Sequence, residues 1–549
     1  MPRAFASSSP LRHALPPPRH RRTLSSTLID ETVAAAAALV QKWHPDTPDA
    51  CSLFLHAADH AEPNHFLRAV ADLHRAMLFF ASHASYSGHG LVQAQALLQT
   101  AMRRLDLELQ LLLDDHDIIQ GDATSSIRQH ICAVAEAMMA AGYGKECLST
   151  FKSRRRAALA ATLQRLLGSF TPPPGNSHFY KLTWDQVDAK IIQPWLAAAT
   201  VAFNSLFDAE KELCDTVFAG DAAVGEVVFG GIANDQATNL LAVAEAAVAR
   251  ARRAPERLFR VLDVHDTLTK VLPAILSVFG DNSEVATRAA VVITKAGQAA
   301  RGTLASFETA IQKEPSKATA PGPGGAVHPL TRYVMNYLVF LADYEEALAL
   351  IYQQEGAYTS PDSSTSSSST MSSWSSPISR LVLVLVCKLD SKAGSYREAA
   401  LSYLFLSNNT HYVAGKVRGS SKLQGILGEK WAEAQSAKAR GHVEVYVRAA
   451  WGKVLTAISC TPSPSRGGGG GGGAEGVEEA VMEAVAMQDQ WVAADDEMGK
   501  ALRAAATAAV IPKYRMFYRR YGAAVRLTPG DVTTMIAALF GDTARQLFT

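Results

Sequence analysis

From Ala501 to Gly530 the chain carries six basic residues, Arg503, Lys513, Arg515, Arg519, Arg520 and Arg526, and no acidic one. Tyr514, Phe517, Tyr518 and Tyr521 are interleaved with them. On a helix Arg515 and Arg519 share a face, and Arg520 lies one step round. Arginines beside aromatic rings suit the headgroup layer of an anionic membrane or a phosphorylated partner. The same residues also fit a plainer arrangement, in which the rings are core and the arginines pair with the acidic stretch from Glu478 to Glu497.

Other spacings point to less. His56 and His60 stand four apart in the segment HAADH, a spacing at which two imidazoles on a helix can share a zinc ion. Ala57 occupies the place of the glutamate that would act as general base, so the segment reads as a partly exposed helix face. The seven glycines Gly467 to Gly473 run into Ala474-Glu475, without the Lys-Ser/Thr that a phosphate-binding loop needs. Asp114-Asp115 and Asp495-Asp496 read as solvated helix faces, and Lys152, Arg154, Arg155 and Arg156 as a solvated basic turn. No nucleophile elbow is present. The expectation is a binding protein, not an enzyme, with no cofactor and no metal.

The elements that must position these residues are helical. Of 549 residues, 48% are hydrophobic and 19% charged. Alanine is abundant and costs no side-chain entropy in a helix. The net charge of +1 gives no overall pull toward nucleic acid, so any anion-binding surface is local. Six scattered cysteines without a Cys-x-x-Cys pair read as reduced, buried thiols of a cytosolic protein. The longest tight apolar run, Leu381 to Cys387, is far too short to span a bilayer.

Residues 1–23 form a basic, acid-free tail. Its composition mimics a transit peptide, but Pro16-Pro17-Pro18 breaks any amphipathic helix, so we read it as disordered. A first helix follows, capped by Ser26 or Thr27, with Ile29, Val33, Ala36, Val40 and Trp43 as its seam. Pro172-Pro173-Pro174-Gly175 separates an N-terminal helical region, 24–170, from a C-terminal one, 178–549. Helices are expected from Trp184 to Phe218, Ala233 to Arg253, Leu330 to Tyr352 (core face Val334, Leu338, Leu341, Leu348), through 378–459, and from Val477 to Arg520. Serine-rich and glycine-rich inserts at 356–377 and 461–476 read as disordered surface loops.

Several blocks resemble the plant-type family of the exocyst's 70-kDa subunit. They are Val327 to Tyr344 (VHPLTRYVMNYLVFLADY), Pro255 to Thr267 (PERLFRVLDVHDT), Glu308 to Glu314 (ETAIQKE), the run LSYLFLSNNTHYVAGKV within Ala400 to Val417, Ala449 to Leu455 (AAWGKVL) and Val510 to Tyr521 (VIPKYRMFYRRY). Weaker matches lie at Ala140 to Cys147 and at Lys42-Trp43. The resemblance implies an all-α, elongated rod of stacked antiparallel helical bundles. It implies a cytoplasmic protein, peripherally associated with the plasma membrane, that helps tether secretory vesicles in exocytosis. The implied partners are other exocyst subunits, a Rho-type small GTPase and phosphatidylinositol bisphosphate, the lipid being held by Lys513, Arg515, Arg519, Arg520 and Arg526. Members usually carry a longer segment before the last helix, with a Lys-Tyr-Ile-Lys-Tyr-like run. Here 521–529 is short, and only Arg526 keeps one of the two basic positions. The N-terminal region is also short for the family. These departures resemble a divergent, grass-expanded subgroup, and leave open an adaptor role outside the exocyst, in signalling or immunity.

Overall fold

The computed structural model describes residues 24–46, 52–54, 61–82, 88–114, 124–168, 181–251, 254–315, 323–356, 376–461 and 471–540. Every helix or strand assigned among them is a helix. The reason lies in the three- and four-residue recurrence of apolar side chains, which puts them on one stripe that a neighbouring helix can cover. Val334, Leu338, Leu341 and Leu348 are buried as that spacing predicts, and so are Val33, Ala36 and Val40. The basic tail 1–23, the pair His56 and His60, and most of the serine-rich insert lie outside the described residues.

The chain divides into two compact units. One holds residues up to Ala244 together with Thr267–Val291; the other holds Glu245–Asp266 and Val292 onward. This division differs from the border expected at the proline run.

The first unit is built from α1 (Leu24–Lys42), α2 (Glu62–Ser82), α3 (Gly88–Asp114), α4 (Thr124–Ala140), α5 (Gly144–Leu167) and α6 (184–217), followed by parts of later helices. Successive helices pack on one another, α1 on α2, α2 on α3, and α3 on both α4 and α5. α1 begins at Leu24, so Ser26 and Thr27, the expected cap positions, fall within its span. Nothing between Leu24 and Lys42 is a glycine or proline that would stop the helix there. α6 carries two π-helical stretches, Asp188–Ile192 and Ala202–Leu206, inside an otherwise α-helical run.

Two buried ion pairs hold this unit, because an unpaired charge in an apolar interior is costly. Arg104 and Glu108 pair within α3, and Glu108 also accepts from the Ser52 hydroxyl and the Leu53 N–H, both at 2.8 Å. Arg155 of α5 pairs with Glu210 of α6. That contact, with Phe151 against Phe218 at 5.1 Å between ring centroids, joins helices from either side of the proline run. The basic cluster at 152–156 is therefore not a solvated turn. It sits within α5, where Arg154 meets Asp114, Arg155 meets Glu210 and Arg156 meets Asp235.

Residues of α7 (Ala222–Ala251), α8 (Leu258–Phe279) and α9 (Glu284–Lys313) fall in both units. The second unit continues with α10 (Pro329–Leu341), α11 (Glu345–Gly356), α12 (Pro377–Ala393), α13 (Ala399–Arg418), α14 (Ser421–Leu427), α15 (Glu429–Ala450), α16 (Gly452–Cys460), α17 (Gly471–Gln488), α18 (Asp496–Tyr521) and α19 (Pro529–Ala538). The glycine-rich insert is shorter than 461–476, since α17 already begins at Gly471. Ala474, Val477 and Val481 are completely buried, and that packing offsets the roughly 1 kcal/mol that each glycine costs a helix. The cysteine reading is also only half met. Cys147 and Cys214 are buried, whereas Cys387 and Cys460 are exposed.

Two neighbouring asparagines of α13, both fully buried, clasp three segments of this unit. The Asn408 amide donates to the carbonyls of Gly325 (2.8 Å) and Val492 (2.7 Å), and its oxygen accepts from the Ala494 N–H at 2.9 Å. The Asn409 oxygen accepts from the His328 N–H (2.9 Å) and the Thr331 hydroxyl (2.7 Å) at the start of α10. Gly324, at φ +66°, accepts at its carbonyl from the Val492 N–H at 2.8 Å. A Cβ there would stand 2.2 Å from the Gln490 carbonyl oxygen, so both the φ and the close approach require glycine.

Two outcomes follow. Asn408→Ala leaves two carbonyls and an N–H without their partner, and should lower stability by about 1–3 kcal/mol. Amides of 323–328 and 492–494 should lose hydrogen-exchange protection first; unchanged protection would refute the clasp. Burial also lowers the pKa of His130, His265, His328 and His442 from the ordinary 6.5. The unfolded chain then binds protons at these imidazoles before the folded one does, so stability falls as pH drops through 6.5 toward the folded values. A thermal midpoint lower at about pH 5.5 than at about pH 7.5 is expected, and an unchanged or higher one would contradict it.

Candidate functional site

The residues singled out near the C-terminus lie on α18 and on the segment that follows it. α18 is preceded by Asp495, whose carboxylate caps it by accepting from the Met498 N–H at 2.8 Å. The far end is held by core packing. Val510, Tyr514, Phe517 and Tyr521, spaced four, three and four apart, are all buried. Tyr514 and Phe517 lie 5.7 Å apart between centroids, and Phe517 and Tyr521 5.1 Å. The Tyr514 hydroxyl donates to the Leu527 carbonyl at 3.0 Å, which ties the segment after α18 back onto the helix. Burial pushes the Tyr514 phenol well above its ordinary range, so it stays a donor.

With one face committed to the core, the helix period turns the cations outward. Lys513, Arg515, Arg519 and Arg520 are all exposed on the last turns of α18, and none forms an ion pair among the described residues. Arg519 and Arg520 also lie in the last turn, where cations favour the negative end of the helix dipole, worth about 0.3–1 kcal/mol each. Arg526 is exposed too, but it lies outside the helix, in the segment between α18 and α19. Glu478 of α17 accepts from the backbone N–H groups of Arg526 and Leu527, which puts a carboxylate beside that arginine. The structure thus brings four of the five residues onto one helix and leaves Arg526 in the segment after it. Of the two sequence readings, three of the four rings are core while Tyr518 is half-buried, and the arginines of α18 form no ion pair with the 478–497 stretch.

Sequence reasoning missed Met516, which is 61% exposed between these cations. The signal was present in the period, since Met516 faces away from the stripe of Tyr514, Phe517 and Tyr521. Among the described residues no group of three or more His, Cys, Asp or Glu side chains is placed to hold a metal ion. No helix among them is long and apolar enough to cross a membrane.

Residues 193–538 match the family formed by the C-terminal part of the Exo70 exocyst complex subunit, and residues 32–115 match the family formed by the N-terminal part of exocyst complex component Exo70. The chain belongs to the Exo70 family. Among curated relatives from Arabidopsis thaliana, exocyst complex component EXO70B2 is 30% identical over 74% of this chain and 66% of its own length. EXO70B1 is 29% identical over 74% of this chain and 64% of its own length, so the match spans less than two thirds of these two proteins. EXO70A1 is 26% identical over 93% of this chain and 88% of its own. Among solved structures, the Saccharomyces cerevisiae exocyst component Exo70p aligns with a TM-score of 0.59 at 14% identity, covering 93% of this chain and 99% of that one. At that identity the likeness speaks to the fold, and it agrees with the expected all-α architecture. In this Exo70-family chain the block Val327 to Tyr344 forms α10 and its 3-10 extension, and the Asn-Asn of the block at 400–417 is the clasp that holds its start.

Removing the Tyr514 hydroxyl tests how the segment before α19 is held. Tyr514→Phe should cost about 1 kcal/mol and speed amide exchange across 525–528 while α18 stays helical. Exchange identical to wild type would mean that the hydroxyl does not hold the segment.

Proposed function

We propose that this Exo70-family chain is an exocyst subunit or paralogue that helps tether secretory vesicles to the plasma membrane. It does so by binding surfaces, without catalysis: other exocyst subunits, a Rho-type small GTPase, and phosphatidylinositol bisphosphate in the inner leaflet. Lys513, Arg515, Arg519, Arg520 and Arg526 carry the lipid contact. The observation behind this reading is the exposed face of α18, whose four cations have no carboxylate partner among the described residues, in a chain that pairs Arg104, Arg154, Arg155 and Arg156. An unpaired cation near an anionic leaflet contributes about 1 kcal/mol, and three or four together give useful affinity. The curated relatives are exocyst complex components by name, which supports the tethering role.

A second reading, an adaptor outside the exocyst, is favoured by one feature. The segment between α18 and α19 keeps a single arginine, next to Glu478. Recovery of several exocyst subunits on purification from cells supports the tether; kinases or receptors recovered without them support the adaptor.

Co-sedimentation with vesicles, with and without phosphatidylinositol bisphosphate, tests the lipid contact. Binding should need the anionic lipid and weaken as salt rises. The triple variant Arg515→Glu, Arg519→Glu, Arg526→Glu should lose binding by about a hundredfold or more while its helicity is unchanged. Survival of binding in that variant would show the wrong surface had been chosen.

A further inference from the structure

The exposed face of α18 is not uniformly polar. At about 100° per residue, Pro512 and Met516 lie on one narrow line along the helix, pointing away from the buried stripe of Val510, Tyr514, Phe517 and Tyr521. Arg515 and Arg519 border that line on one side, and Arg520 and Lys513 on the other, all within about 100° of Met516. Pro512 is exposed, and the Met516 side chain is 61% exposed, although Val510 and Ile511 of the same helix are buried. The apolar face of α18 is spent on the core, so a long apolar side chain standing in water between four cations is left to meet something outside the chain, and an anionic membrane surface offers both phosphates and an apolar layer.

We infer that Met516 is a membrane anchor, entering the apolar boundary of an anionic leaflet while Lys513, Arg515, Arg519 and Arg520 hold headgroup phosphates around it. This rests on the lipid contact proposed above and adds to it a hydrophobic component. The arginine and lysine stems run along the apolar boundary and carry their charges outward to the phosphates, which leaves the methionine deepest. Its unbranched thioether adapts to disordered acyl chains without a fixed rotamer. The charged rim selects the occupant. An apolar groove of a protein partner would leave four cations to be matched one by one, whereas an anionic leaflet presents phosphates on all sides. Binding by cations alone is strongly screened by salt, but the contribution of Met516 is not.

The test compares the full chain with Met516→Gln and Met516→Leu on phosphatidylcholine vesicles with and without phosphatidylinositol bisphosphate, at low and physiological salt. Because Met516 is exposed, neither variant should change the thermal midpoint. Met516→Gln should bind the anionic vesicles about tenfold more weakly at physiological salt, and Met516→Leu as well as wild type. Both should bind the soluble inositol phosphate headgroup as wild type does, since that ligand has no apolar layer. A Met516→Trp variant should gain fluorescence that brominated lipid quenches, beyond the quenching of the wild-type tryptophans. If wild type binds the vesicles and Met516→Gln binds them equally, Met516 is not an anchor, although the basic face stands. If wild type binds no vesicle at all, the lipid contact fails and the anchor falls with it.

Discussion

Two buried carboxamides set the geometry of the second unit. Asn408 and Asn409 lie on a single turn of α13, where a helix offers no spare backbone groups, and their side chains serve as backbone for the loops that pass by. Buried peptide groups must be paired. The segments at 323–328 and 490–494 have little regular structure of their own, one short 3-10 turn at Pro323–Gly325, so the asparagines supply the partners. An amide carries both donors and an acceptor, which is why asparagine fits where a serine would leave a group unmet. The consequence reaches α18. Ala494 is held by Asn408, Asp495 follows it directly, pairs with His411 at 2.9 Å and caps the helix. The start of α18 is thus fixed in place, and the rings at its far end fix its rotation.

That rotation separates two populations of cations. In the first unit, Arg104, Arg154, Arg155 and Arg156 all meet carboxylates, two of them in the interior, where leaving either partner alone would cost several kcal/mol. On α18 Tyr514, Phe517 and Tyr521 take the inner positions, and the cations are left on the solvent side, where the helix dipole favours only Arg519 and Arg520. A cation without a local partner gives up little stability, and stays available to an anion arriving from outside. The carboxylate of Glu478, engaged by backbone N–H groups at 526 and 527, spends its acceptor capacity on the chain itself.

By itself the sequence determined the helical class and the faces. Alternation of three and four among Val334, Leu338 and Leu341, or Tyr514, Phe517 and Tyr521, specifies a buried stripe whatever it packs on, because the period is a property of the local backbone. The resemblance blocks, long and contiguous, likewise carried the family. Boundaries were less legible. The glycine run became helix from Gly471 because Ala474, Val477 and Val481 find a core to enter, and a propensity sum cannot foresee that core. Only the tertiary structure decided which charges are neutralised. Arg155 and Glu210 are 55 residues apart, and nothing local marks them as partners. The arginines of α18 and the acids of 478–497 are far closer in sequence, yet the fold points them apart. Charge pairing depends on which helix faces meet, and that is settled by packing between distant segments rather than by the pattern within one.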